Sequence, residues 1–210
     1  SRCPQADLAR GVEQWYESPG FGAETRAIAS REEETPMLKV SPHNLKAWVE
    51  EHRALLKPPV GNKMVWNDGE FLVMIVGGPN RRKDYHVDPG EEFFYQIEGD
   101  MTLKIIEDGK PRDIVIRQGD IFLLPPWVPH SPQRSANTVG MVVERNRDDG
   151  EKDSLRWYCE KCFEVLYDSS FQLVDLGTQL KPIIENFYAD EKLRTCRKCG
   201  TVMQPPPPVS

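Results

Sequence analysis

No stretch of the 210 residues approaches the ~18 consecutive apolar positions of a membrane-crossing helix, so no membrane partner is expected. Positive charge is also scarce. Lys and Arg number 27 against 33 Asp and Glu, a formal net charge of −6. That balance gives no global electrostatic reason to bind nucleic acid or an anionic bilayer, and small-molecule chemistry becomes the better default. The opening residues SRCPQADLARG lack the basic start and apolar run of a secretory signal, which predicts a cytoplasmic protein. Histidine is limited to His43, His52, His86 and His130. Of five cysteines, Cys3 stands alone, whereas Cys159, Cys162, Cys196 and Cys199 form two C-x-x-C pairs. In a reducing compartment this spacing favours a metal over disulfides.

What is present is the composition of one soluble core, 39% hydrophobic and 29% charged. Residues 1–36 contain SPGFG and REEETP without sustained periodicity and are expected to be a flexible extension. A helix follows: Ser41 can cap it, Pro42 suits its first position, and Leu45, Trp48, Val49, His52, Leu55 and Leu56 share one face. From Asn62 the pattern turns to short β-rich runs, EFLVMIV, EFFYQI, MTLKII, DIVI, DIFLL and TVGMVVE, separated by turn signals such as GGPN and EDGKP. Such spacing predicts a mainly β sandwich or barrel over 37–150, and the lack of long alternating helices argues against a doubly wound α/β fold. Residues 151–203 are expected to form a small segment with a strand, a helix near 178–188 and the cysteine pairs. The proline-rich 204–210 should be a tail.

Two motifs carry the chemistry. In DYHVDPGEEFFYQIEG, Glu92 lies six residues after His86; in GDIFLLPPWVPH, His130 lies eleven after Gly119. His43 and His52 are read as packing or surface residues. This spacing resembles the two motifs of the cupin double-stranded β-helix, a jelly-roll barrel in which His86, Glu92 and His130 converge on one metal. Two imidazoles and one carboxylate leave about half of an octahedral shell open, the arrangement used by non-haem Fe(II) enzymes, although Mn, Ni or Zn accept the same ligands. The sequence departs from the general pattern where Asp88 replaces a second histidine, Trp127 a common glycine and Arg134 a common asparagine. Arg82 and Arg134 each lie four residues from a metal histidine, where a guanidinium could grip a carboxylate bidentately.

With LLKPPVGN, MIVGGPNRRKDYH, EEFFYQIEGDM, GDIFLLPPWVPHSPQR and VVER, the chain resembles the 3-hydroxyanthranilate 3,4-dioxygenase family, in its short single-barrel bacterial and fungal form. The resemblance implies an enzyme of tryptophan catabolism that opens the ring of 3-hydroxyanthranilate with O₂ to give 2-amino-3-carboxymuconate semialdehyde, toward quinolinate and NAD. It implies Fe(II) on His86, Glu92 and His130, with Glu92 also bordering the substrate. Arg82 would face oxygen and substrate, Arg134 would hold the substrate, Glu144 would be its acidic partner and Asn62 a pocket residue. It further implies a homodimer and a rubredoxin-like iron on Cys159, Cys162, Cys196 and Cys199, where thiolates alone would equally accept zinc. The competing readings are a non-enzymatic cupin that binds a small ligand and, opposed by the acidic balance, a zinc-ribbon nucleic-acid binder.

Overall fold

The computed structural model describes residues 41–58, 61–174 and 176–207, so the expected extension at 1–36 lies outside it. Its elements are α1 (Leu45–His52), β1 (Asn62–Trp66), β2 (Phe71–Gly77), β3 (Asp84–Val87), β4 (Glu92–Glu98), β5 (Met101–Glu107), β6 (Lys110–Ile116), β7 (Ile121–Leu124), β8 (His130–Arg134), β9 (Val139–Arg145), β10 (Asp153–Tyr158), β11 (Val165–Phe171), α2 (Leu176–Ala189) and α3 (Glu191–Arg194). The strands form two antiparallel sheets, ordered β1-β2-β9-β4-β7 and β11-β10-β3-β8-β5-β6. This is the mainly β jelly-roll architecture expected from the sequence.

The core lies between the sheets because alternate side chains of each strand point inward. Met74, Phe94 and Val142 from the first sheet meet Met101, Leu103, Ile105 and Ile116 from the second. The opposite face of the first sheet is covered by α1. There Trp48, Val49 and Leu56 pack on Ile75 and Val139. The helix begins later than its sequence suggests: the Asn44 side chain accepts a hydrogen bond from the Ala47 N–H at 3.0 Å and provides the cap, leaving Ser41 and Pro42 outside. A 3-10 turn at Arg53–Leu56 completes it.

Strands β1, β3, β8 and β10 escaped the periodicity argument. The sequences of β3, DYHV, and β8, HSPQR, are polar because their inward positions build a site instead of an apolar core. The expected boundary at 150 also falls inside the sheet system. β10 pairs with β3 on one side and β11 on the other, so the barrel sheet continues to Phe171. This extension gives α2 its seat: Phe187, fully buried, stacks on Trp157 with ring centroids 4.3 Å apart, and Leu155 and Met203 close the cluster. Among the described residues, no helix is long and apolar enough to cross a membrane.

Candidate active site

His86 on β3 and His130 on β8 are direct cross-strand partners, and Glu92 at the start of β4 reaches them from the opposite sheet. All three are buried. Glu92 Oε1 lies 2.9 Å from His130 Nε2 and 3.3 Å from His86 Nδ1. Donor atoms ~3 Å apart suit adjacent positions around an ion with bonds of ~2.1 Å. The far side of each ring is fixed by an acceptor. His130 Nδ1–H donates to the Val128 carbonyl at 3.0 Å, and His86 Nε2–H donates to Asp153 Oδ2 at 2.6 Å. Each imidazole, once the proton shared with Glu92 is lost, presents a lone pair from that nitrogen, the arrangement metal ligation needs.

The charges around this group point the same way. Asp84, Asp88, Glu92, Glu144 and Asp153 are buried, against the guanidinium groups of Arg82, Arg134 and Arg147. With every carboxylate ionised and both imidazoles neutral, two negative charges remain, the charge of one divalent cation. With only protein atoms present, burial works against an imidazolium at His86, yet hydrogen bonds to Asp153 and Glu92 raise its pKa to about 10. Burial also opposes ionisation of Glu92, but the histidines hold it below the ordinary carboxylate range. Burial first, then the charge of Glu92, pushes Glu144 up to about 8 despite Arg147.

Beside His86, Glu92 and His130 is a cavity of about 120 Å³, bordered by Asn62, Arg82, Arg134, Glu144, Phe94 and Leu180. Its volume is on the order of the ~150 Å³ that accommodates one benzene ring. The sequence-predicted residues therefore meet at one place. Glu144 stands opposite Glu92 in the β4–β9 register, and Asn62 opens β1. Arg82 borders the cavity while ion-paired with buried Asp84, two residues on.

Arg134 is different. Only 4% exposed, it donates Nη1–H to Gln96 Oε1 at 3.1 Å, its Nε–H has no partner among the described residues, and it makes no ion pair. Burial alone pulls its pKa down to about 10, so a charged guanidinium there awaits an anion. Gly140 makes room for it. A Cβ at that position would lie 2.7 Å from Arg134 Nη1 and 2.9 Å from Gln96 Oε1. Gly140→Ala should therefore displace the guanidinium and raise KM by about tenfold, a geometric misplacement effect; an unchanged KM would show that the side chain yields without loss.

Arg147 and Asp153 give no signal in the sequence because Arg147 borders and Asp153 lies within the polar run DDGEKDS, which reads as a loop. Arg147 Nη2 donates to Glu144 Oε2 and to Asp153 Oδ2, both at 2.7 Å, and Nε donates to Asp153 Oδ1 at 2.8 Å. Asp88 Oδ2 lies 2.8 Å from the same Nη2 but receives no hydrogen bond from it. Asp88, standing where a second histidine is usual, thus belongs to the Arg147 cluster. Trp127 occupies a left-handed conformation, φ 64°, of the kind its more common glycine adopts freely.

The four cysteines of the C-x-x-C pairs gather at the far end of β10. The Sγ atoms of Cys159 and Cys199, Cys162 and Cys196, and Cys162 and Cys199 lie 3.5–3.6 Å apart, too far for a disulfide and near the ~3.8 Å edge of a tetrahedral thiolate site. Hydrogen bonding with the Thr201 side chain and backbone lowers Cys199 to about 6, whereas, against the Glu164 backbone N–H, burial and the neighbouring thiols raise Cys162 to about 12. Met203, next to this turn, packs into the Trp157–Phe187 cluster. Cys199→Ser should lower the melting temperature by ~10 °C or more, with metal at the histidine site retained; an unchanged melting curve would remove the stapling role.

Comparison with known proteins points to one family. A model of the 3-hydroxyanthranilic acid dioxygenase family matches residues 37–188. A 3-hydroxyanthranilate 3,4-dioxygenase from Xanthomonas campestris is 56% identical over 80% of this chain and 94% of its own. Enzymes of the same name from Yarrowia lipolytica and Neurospora crassa are 56% and 52% identical, each over 77% of this chain and over 95% and 89% of their own.

Proposed function

Since the chain belongs to the 3-hydroxyanthranilic acid dioxygenase family, we propose that it cleaves the ring of 3-hydroxyanthranilate with O₂, both oxygen atoms entering 2-amino-3-carboxymuconate semialdehyde, at the cavity beside His86, Glu92 and His130. The observation that carries this reading is the unpaired, buried Arg134 facing the same cavity as the three ligands. Their donor set, with imidazoles oriented from behind and two negative charges in excess, fits a divalent iron. Bound there, Fe(II) would supply open coordination positions at which an ortho-aminophenol and O₂ meet.

The chain's own residues do the remaining work. Arg134 binds the substrate carboxylate, which fixes the ring's orientation and supplies the charge that burial left uncompensated. Phe94, Val142 and Leu180 form apolar walls that exclude water from the ring. Glu144 has Oε2 held by Arg147, and Oε1 is the oxygen that takes the proton of the substrate hydroxyl. Arg82, steadied by Asp84, places positive charge where negative charge grows on oxygen. Asn62 contributes a polar edge.

At the cysteine site the same reading puts iron or zinc, in a reducing compartment. A binding-only cupin would not need a ring-cleavage family's residues around the cavity. Substrate analogues test the proposal. 2-Aminophenol, which lacks the carboxylate, should show a kcat/KM lower by about 10²-fold or more than 3-hydroxyanthranilate; equal values would contradict the Arg134 assignment.

A further inference from the structure

The cluster behind His86 is larger than ligand geometry alone requires. Asp153, fully buried at the start of β10, accepts from His86 Nε2–H at 2.6 Å and from Arg147 through both of its oxygens. Arg147 also donates to the Arg145 carbonyl at 2.6 Å and to Glu144 Oε2. One guanidinium therefore holds both the carboxylate behind a metal ligand and the carboxylate that faces the substrate.

We propose that Asp153, oriented by Arg147, is a positioning residue that fixes His86 with its proton on Nε2 and its lone pair on Nδ1, so that His86 binds metal through Nδ1. The assignment rests on His86 being a metal ligand, as read above. Geometry leaves the ring little choice. A carboxylate can only accept, so the ring nitrogen 2.6 Å from Asp153 is the donor, and in the neutral imidazole the other nitrogen carries the lone pair. The pair is also exclusive: Arg147 Nη2 has two hydrogens, given to Glu144 and Asp153, which is why nearby Asp88 receives none. Without the Asp153 carboxylate the Nε2 proton loses its charge-assisted acceptor, and the ring is held in its rotation less firmly. Asp153 thus makes His86 a more basic and better aimed ligand. By sharing Arg147, the metal side and the substrate side of the site are mechanically joined.

The test uses the full chain, its cysteine site loaded, titrated with Zn(II) as the probe. In wild-type protein one further Zn(II) should bind, giving two metal ions per chain, and ¹⁵N NMR of the four histidines should show one of them bound through Nδ1 with its proton on Nε2. His86→Gln should remove that signal and so assign it. Asp153→Asn should weaken the histidine site by ~10–100-fold, with the cysteine site unaffected, and Asp153→Glu should recover part of the loss. Binding of His86 through Nε2 in the wild type would overturn the proposal, even if Asp153→Asn failed to fold. So would unchanged affinity in a folded Asp153→Asn. A single Zn(II) per chain, confined to the cysteines, would overturn the ligand assignment itself and this inference with it.

Discussion

His86→Ala is expected to reduce bound metal from two ions per chain to one and to lower ring-cleavage activity by more than ~10³-fold, the scale of losing a metal's several kcal/mol of transition-state stabilisation. Two things fail together in this variant. Glu92 and His130 remain, but two donors with an open side hold a divalent ion far more weakly than three. Asp153 also loses the N–H it binds at 2.6 Å, so a buried carboxylate is left with Arg147 alone. Metal analysis beside a turnover assay reads both effects. The remaining ion should be the one on Cys159, Cys162, Cys196 and Cys199. Two ions per chain with near-normal turnover would remove His86 from the site.

Arg134→Leu carries the second large effect. Truncating one partner of a desolvated, hydrogen-bonded charge pair costs about 3–4 kcal/mol, a loss of roughly 10²–10³ in kcat/KM. Most of it should appear in KM, because the carboxylate is bound alike in the ground state and the transition state. Iron content should stay at the wild-type level, since Arg134 contacts Gln96 and no metal donor. The result separates a substrate clamp from a structural cation: a structural role would show as lost protein or lost metal at unchanged KM. Gly140→Ala should give a milder version of the same phenotype, since it crowds the guanidinium without removing it.

The sequence reveals most of the residues that converge here, because motif spacing on paired strands dictates which side chains share a face. His86, Glu92, His130, Arg134, Glu144 and Asn62 all border the cavity. What escaped the sequence had a common physical cause. Arg147 and Asp153 lie at the edges of a polar run, and buried charges of this kind have no apolar periodicity to mark them. Their burial is possible only because they pair with each other and with His86. Asp84 was overlooked beside Arg82 for the same reason. β3 and β8 also lack alternation, since the site replaces the apolar core along their inward faces. The barrel sheet runs past 150 because β10 pairs with β3, more than sixty residues earlier in the chain, a partnership that local pattern cannot reveal.

The most direct test of the account is stoichiometric. Full-length protein is loaded anaerobically with Fe(II), mixed with 3-hydroxyanthranilate and then exposed to O₂. One O₂ should disappear for each substrate ring opened, both atoms of ¹⁸O₂ should be found in the ring-opened product, and its new ultraviolet absorbance should rise in step. Iron bound at the histidine site with 3-hydroxyanthranilate and O₂ left unconsumed would contradict the assignment of this cavity to ring cleavage.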